Sequence, residues 1–412
     1  MNLETAKDNL IIKPMVDDYT IYEDYRLDCF EDGYDSAIKH LWLNTIQGVD
    51  ASHIIHLKKT LGNVWNIYDA SEKVISGIIP EQAAKKIAHA KGGGKVVELY
   101  DRLKEKGIEF IYPEKSGYPN KLRHISIPPQ LLYVKGRIKK CIDEYNRTIG
   151  IVGSRNPSQY GKEICRYFSE ALSEAGFNVI SGLARGIDGI AHRSALNKNA
   201  YTVAVLGSGI NVAYPRSNIE LYTQIEENGA IVSEYGLDVA PNPWQFPIRN
   251  RIISGLSDGI LVVEARAESG SLITVDHALE QGRFVYSIPG RIMDKSSEGN
   301  NNIIREGAIC VTKPEDIIED MVGLYCDESN KPIDRKNKLE INSNKTNGVT
   351  VKNELTSEES LVLSVMSLEP MYIDDIIQKT KIGVTKAIST LYILEKKKLI
   401  KQPNQGYYIL FI

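Results

Sequence analysis

The chain has 412 residues, enough for two to three domains. Its formal net charge of -3 excludes a chain-wide positive field, so any polyanion site must be a local patch. With 25% charged and 42% hydrophobic residues the composition is that of a soluble globular protein. The five cysteines (Cys29, Cys141, Cys165, Cys310 and Cys326) are scattered, without a CxxC pair, which points to a reducing compartment rather than a disulfide framework. Neither a signal peptide nor an apolar run of about eighteen residues is present, so a cytoplasmic location without a membrane segment is expected.

Residues 1–34 are acidic and tyrosine-rich (Tyr19, Tyr22, Tyr25 and Tyr34) and read as an N-terminal arm. Residues 35–107 carry short stripes at helical spacing: Ile38, Leu41, Trp42 and Ile46; Ile54, Ile55, Leu57 and Leu61; Ala83, Ala84, Ile87 and Ala88. Turn signals separate them. The Ile46-Gln47-Gly48-Val49-Asp50 turn resembles those of helix-hairpin-helix folds, which can hold a DNA phosphate; a bundle made only for packing or dimerisation fits the stripes equally well.

From residue 108 to 326 short apolar runs alternate with helical patterns. Strands are expected at 109–112, 131–134, 149–152, 178–181, 202–206, 230–233, 259–263, 284–288 and 308–311. Near-continuous apolar strands indicate a sheet covered on both faces, and the strand–turn–helix rhythm indicates a doubly wound, Rossmann-like α/β sheet. Residues 327–352 are rich in Lys, Asn, Asp and Ser and read as a flexible linker. In 353–412 three helical patterns precede two apolar strands around Pro403-Asn404-Gln405-Gly406, the pattern of a winged helix. Lys386, Lys396, Lys397, Lys398 and Lys401 would let that module meet DNA, whereas its third helix is poor in groups that read base edges. DNA and protein both remain open as its target.

The chemistry concentrates at the expected carboxyl ends of the strands, where such sheets bind ligands. Gly153-Ser154-Arg155 and Gly182-Leu183-Ala184-Arg185-Gly186 are glycine turns that also carry an arginine. Glycine permits close backbone approach, a helix start favours an anion, and a guanidinium matches phosphate. Neither turn is a G-x-G-x-x-G or a Walker loop, so no dinucleotide or nucleoside triphosphate is implied. Further loops bring Arg216 after Tyr214-Pro215, Phe246 with Arg249, Asn250 and Arg251, and the polar helix start Ser269, Gly270, Ser271 and Thr274. Tyr160, Tyr214, Trp244 and Phe246 could stack bases. Arginines beside aromatic platforms describe a site for a single strand. Tight turns and surface ion pairs would account for any one of these residues alone.

Together these motifs resemble the DNA-processing protein A family, also called Smf. The resemblance runs from about Glu109 to Asp320 and includes Gly153-Ser154-Arg155, Ser181 to Asp188 with Ala191-His192, Tyr214-Pro215, Phe246-Pro247, Arg249 to Ser257, Ser269 to Thr274, and Pro289-Gly290. It implies an extended Rossmann domain that holds single-stranded DNA in a pocket, dimerises, and loads RecA recombinase onto incoming DNA during natural transformation. It also implies a SAM- or helix-hairpin-helix-like N-terminal domain, a C-terminal winged helix, and neither catalysis, cofactor nor metal. Carried over by motif, Gly153, Ser154 and Arg155 would contact phosphate, Arg216 would supply the basic residue after Tyr-Pro, and Asn250 would line the pocket. The competing reading is a Rossmann-fold nucleotide N-glycosidase using Glu264 and Glu268, but the Pro-Gly-Gly-x-Gly-Thr signature of that group is absent. A winged-helix transcription regulator with a ligand-sensing core is a third reading, and it requires stronger binding to duplex than to single strand.

Overall fold

The computed structural model describes residues 34–92, 94–138, 146–322, 356–367, 370–397, 399–404 and 407–410. The expected N-terminal arm, apart from Tyr34, and the expected linker lie outside the described residues, as do Cys29, Cys141 and Cys326.

The first described helices are α1 (Tyr34–Thr45), α2 (Ala51–Leu61), α3 (Val64–Asp69), α4 (Glu72–Ser76), α5 (Glu81–His89) and α6 (Lys95–Glu105). They close on a core of their own that includes Trp42, Leu43, Ile54, Leu57, Ile67, Ile75 and Ile87. Asp50 starts α2 with a capping box: its carboxylate accepts from the His53 N–H while the His53 ring bonds back to the Asp50 N–H. The glycine turn before α2 therefore ends in a carboxylate that already satisfies a helix N-terminal donor.

The central sheet has nine strands: β1 (Glu109–Ile111), β2 (Leu132–Gly136), β3 (Thr148–Val152), β4 (Asn178–Ser181), β5 (Thr202–Val205), β6 (Ala230–Ser233), β7 (Gly259–Val262), β8 (Phe284–Ser287) and β9 (Ile309–Cys310). Their order is β1-β2-β6-β5-β4-β3-β7-β8-β9. The strands from β6 to β9 along that order are parallel, but β1 and β2 are antiparallel. A parallel crossover needs about a dozen residues or more, usually a helix. The chain between β1 and β2 contains only the short helix α7 (Asn120–Arg123), and β2 is laid against β6, which comes much later in sequence.

Crossovers are made by α8 (Gln159–Glu174), α9 (Ile187–Asn197), α10 (Ile219–Asn228), α11 (Gln245–Leu256) and α12 (Leu272–Glu280), followed by α13 (Glu298–Arg305) and α14 (Pro314–Val322). Strands β3, β5, β6 and β7 are buried along their whole length, which accounts for their apolar composition. One helix layer and the sheet enclose Ile180, Val203, Val232, Ile252, Ile253 and Val262; the other encloses Ile149, Ile151, Phe168, Val179, Leu261 and Tyr286. The chain winds outward from β3 through β4 and β5 to β6, then returns to place β7 on the opposite side of β3. The β3/β7 junction is thus the point where the winding direction reverses, and a crevice opens there beyond the strand ends.

The last described part comprises α15 (Ser357–Val365), β10 (Met371–Tyr372), α16 (Ile373–Thr380), α17 (Val384–Lys396), β11 (Ile400–Asn404) and β12 (Tyr407–Leu410). The small sheet runs β10-β12-β11 and shares a core of Val362, Ile376, Leu391, Leu394 and Ile400 with the helices. On α17, Val384, Ile388 and Tyr392 face outward four residues apart.

Gly186 joins two loops at the reversal point. It has φ +79, and a Cβ there would sit 2.2 Å from the Ser154 carbonyl oxygen. Gly186→Ala is expected to cost about 2–4 kcal/mol, from the left-handed backbone together with displacement of residues 154–155. Urea unfolding of the variant beside the parent chain checks this.

Candidate nucleic-acid interface

The loop after β3 is held from below by the loop after β7. The Ser154 N–H donates to the Glu264 carbonyl at 2.7 Å. The buried Glu264 carboxylate accepts from the Ser158 N–H at 2.9 Å and from the Ser158 hydroxyl. Gly161 lets α8 sit directly on that carboxylate, since a Cβ there would be 2.5 Å from it. Gly153 serves close approach rather than left-handed geometry: a Cβ would lie 2.8 Å from the Ile187 side chain and 2.9 Å from the Glu264 carbonyl.

The loop after β4 is the strained one. Leu183, fully buried, adopts φ 56. Side chains from three directions satisfy its backbone. Asp188 accepts from the N–H of Gly182 at 3.1 Å and of Ala184 at 3.4 Å. Asn218 donates to the carbonyls of Leu183 at 3.0 Å and Ala184 at 3.1 Å. Arg249, on α11, donates to the Gly182 carbonyl at 2.8 Å and to the Val205 carbonyl at the end of β5. Gly182 has no Cβ because one would lie 2.6 Å from the Arg249 guanidinium and 2.7 Å from the Asp188 carboxylate.

These loops surround a cavity of about 520 Å³ lined by, among others, Gly153, Arg155, Asp188, Tyr214, Phe246, Arg249, Asn250, Ser269, Gly270, Ser271 and Thr274. Phe246 is part of the lining, and its ring occupies space that a Cβ on Gly207 would take. The guanidinium carbons of Arg155 and Arg249 lie 5.5 and 5.9 Å from the Phe246 ring centre, and the Tyr214 ring lies 5.9 Å away. Next in sequence to the lining residue Pro243, Trp244 is exposed and meets Tyr235 edge-on at 6.1 Å. The start of α12, which has no side-chain cap, also belongs to the lining. There the Ser269 and Ser271 hydroxyls are 2.7 Å apart. The Leu272 and Thr274 N–H groups bond back to the Ser269 and Ser271 carbonyls, so what this helix start offers an anionic ligand is its dipole and the two hydroxyls.

Nine of the thirteen expected contact residues therefore line one cavity: Gly153, Arg155, Phe246, Arg249, Asn250, Ser269, Gly270, Ser271 and Thr274. Four do not: Ser154, Arg185, Arg216 and Arg251. Arg251 turns away and pairs with Glu234 through two contacts at 2.7 and 2.8 Å. It lies two residues from Arg249 on α11, and positions two apart on a helix face different ways. Ser154 spends its N–H on Glu264 and its hydroxyl accepts from the Asn156 N–H at 3.1 Å. Arg185 and Arg216 are exposed outside the cavity, on loops that Asn218 ties together. Arg249 lines the cavity but works as a clamp on two strand ends rather than as a free finger for phosphate.

Asp188 lies within a matched motif but was given no contact role, and it is among the lining residues. An acid in the first turn of α9 reads in sequence as dipole compensation only. Burial raises its carboxyl above the ordinary range, opposed by Arg249 and by the two backbone N–H groups. Burial likewise lowers Arg249, to about 10, against the pull of Asp188. Asp276, also acidic, is exposed on α12 and is not part of the lining. Among the described residues no cluster of three or more His, Cys, Asp or Glu is arranged to hold a metal, and no helix is long and apolar enough to cross a membrane.

The family profile described as DNA recombination-mediator protein A matches residues 109–322, the part that carries the sheet and the cavity. Protein Smf of Escherichia coli (strain K12) is 45% identical over 220 residues, a match spanning 53% of this chain and only 58% of that protein. Protein Smf of Synechocystis is 32% identical over 375 residues, spanning 84% of this chain and 91% of that protein. The X-ray structure of DNA processing protein A from Streptococcus pneumoniae superposes with a TM-score of 0.62 at 30% identity, covering 70% of this chain and 99% of that one. On the profile match, the length of the Synechocystis match and the shared fold, this chain belongs to the DNA recombination-mediator protein A family.

Proposed function

We propose that the chain binds single-stranded DNA at this cavity and the arginine-bearing loops around it, and delivers the strand to RecA recombinase during natural transformation. The observation that carries this reading is the meeting, in one crevice, of the Arg155 guanidinium, the Phe246 and Tyr214 rings and the uncapped start of α12. Aromatic faces accept bases of any sequence, while cations, hydroxyls and the positive end of a helix dipole favour the phosphates. Relatives named DNA processing protein, from Bacillus subtilis and Streptococcus pneumoniae, support a role in handling DNA. In this reading the protein acts in the cytoplasm as a homodimer, by binding rather than catalysis. The helices α1–α6 form its SAM- or helix-hairpin-helix-like domain and the last module its winged helix.

Arg155→Ala is expected to weaken oligo-dT binding about tenfold at ~0.1 M salt and to reduce the slope of log K against log salt by about 0.7. Adding Arg216→Ala should lower both again. Fluorescence anisotropy across a salt series measures both quantities. Unchanged affinity in the double variant, or tighter binding to duplex than to single strand, would sink the reading. An N-glycosidase is not favoured, because the Glu264 carboxylate is buried and engaged by Ser158.

A further inference from the structure

The outer face of α17 is apolar where a helix that reads a DNA groove is polar. Val384, Ile388 and Tyr392 stand four residues apart and are 58%, 51% and 58% exposed. Groove reading needs donors and acceptors aimed at base edges. Ser389 instead donates its hydroxyl to the Lys386 carbonyl of its own helix. Lys386 is two residues from both Val384 and Ile388, so it points to another side, where it lies 3.5 Å from Glu358. A contiguous apolar strip rimmed by charge marks a contact with protein.

The ends of the strip say which protein. Lys381, in the left-handed turn that ends α16, comes three residues before Val384, and Glu395 comes three residues after Tyr392. Both are exposed, and among the described residues neither has an ion-pair partner. The strip is thus centred on Ile388, with a cation at one end and an anion at the other. Such a surface is complementary to its own reversed copy. About a two-fold axis at Ile388, Val384 meets the partner's Tyr392 and Lys381 meets the partner's Glu395, which is the relation an isologous contact requires. A nucleic acid laid on the same face would set Glu395 against phosphate.

We propose that α17 pairs antiparallel with α17 of a second copy of this chain. Val384, Ile388 and Tyr392 make the contact, and Lys381 and Glu395 fix its direction. The contact is small, so it is weak by itself and strengthens when another contact already holds two copies together. It does not rest on the cavity: strand binding can fail while this pairing stands.

The test is cysteine cross-linking of the full chain. Val384→Cys, Ile388→Cys and Tyr392→Cys are each oxidised beside the parent, whose native cysteines give the background, and resolved on a non-reducing gel. Ile388→Cys should link severalfold more than the other two. On the axis residue 388 faces itself, whereas 384 and 392 each lie about 12 Å along the helices from their own copies, beyond the about 7 Å that a disulfide spans. Val384→Cys mixed with Tyr392→Cys should link one to the other. On the Ile388→Cys background, Lys381→Glu should lower the yield about fivefold by placing like charges together at both ends, and adding Glu395→Lys should restore it. No link at 388 above the parent, or equal links at all three positions, overturns the proposal; if Ile388→Asp then weakens duplex binding, the face belongs to DNA. A charge reversal that changes nothing, or that the second reversal does not rescue, overturns the antiparallel direction and the proposal with it.

Discussion

Arg249→Ala is expected to destabilise the chain by about 3–5 kcal/mol, among the largest effects of any single side chain here. The guanidinium is buried and joins the ends of β4 and β5 by donating to the carbonyls of Gly182 and Val205. Its removal leaves both oxygens unpaired, opens a void beneath Phe246, and strips the Asp188 carboxylate of its nearest opposing charge. Breaking a buried ionic arrangement from one side costs more than the arrangement contributes, because the remaining charge stays desolvated. Arg249→Lys should recover little, since both carbonyls are reached by the terminal Nη1 and the shorter lysine side chain ends short of that position. Arg251→Ala should cost less, because Glu234 lies near enough to solvent to be hydrated. Denaturant midpoints for the three variants establish the ranking, and a loss under about 1 kcal/mol for Arg249→Ala would refute the clamp.

Acidification should destabilise the chain from pH 6.5 downward, beginning before ordinary carboxylates titrate. His40 and His192 are buried, and burial lowers each to about 3 from 6.5. The folded state holds both rings neutral, whereas the unfolded chain binds protons below pH 6.5, so stability is present above that value and falls as pH drops from 6.5 toward 3. At pH 4.5 the loss is about 2–3 kcal/mol per histidine. Glu114, beside His40 and Lys58, adds loss in the same direction: burial would raise its carboxyl, but Lys58 and His40 together hold it below the usual range. Asp188 opposes it, because its raised carboxyl relieves the folded state on protonation. His40 stacks on Tyr112 at 3.8 Å, so the helices α1–α6 and the edge of the sheet should loosen together. Urea unfolding at pH 6.5 and 4.5 tests this. His40→Gln and His192→Gln should each flatten the pH dependence, and an unchanged slope in both would rule out the mechanism.

Much of this was legible without coordinates because it is locally encoded. The apolar runs at 149–152, 202–206 and 259–263 coincide with β3, β5 and β7, since a strand covered on both faces has no polar face to show. The glycine turns with Ser154-Arg155 and Ser269-Gly270-Ser271 were visible for a related reason: close backbone approach and helix starts demand particular residues at particular places. Of the two arginines flanking Asn250, only one could face the cavity. The two-residue spacing on α11 says that much, but not which one.

The linear sequence by itself determined the strands, the helices between them and the loops that carry the chemistry, because each depends on residues within a few positions of one another. Only the tertiary structure decided that β1 and β2 run antiparallel, that Arg251 is committed to Glu234, that Arg249 braces two strand ends, and that Asp188 looks into the cavity. Each of those outcomes depends on a partner brought close by folding alone, and a charge has no assigned role until the group opposite it is known.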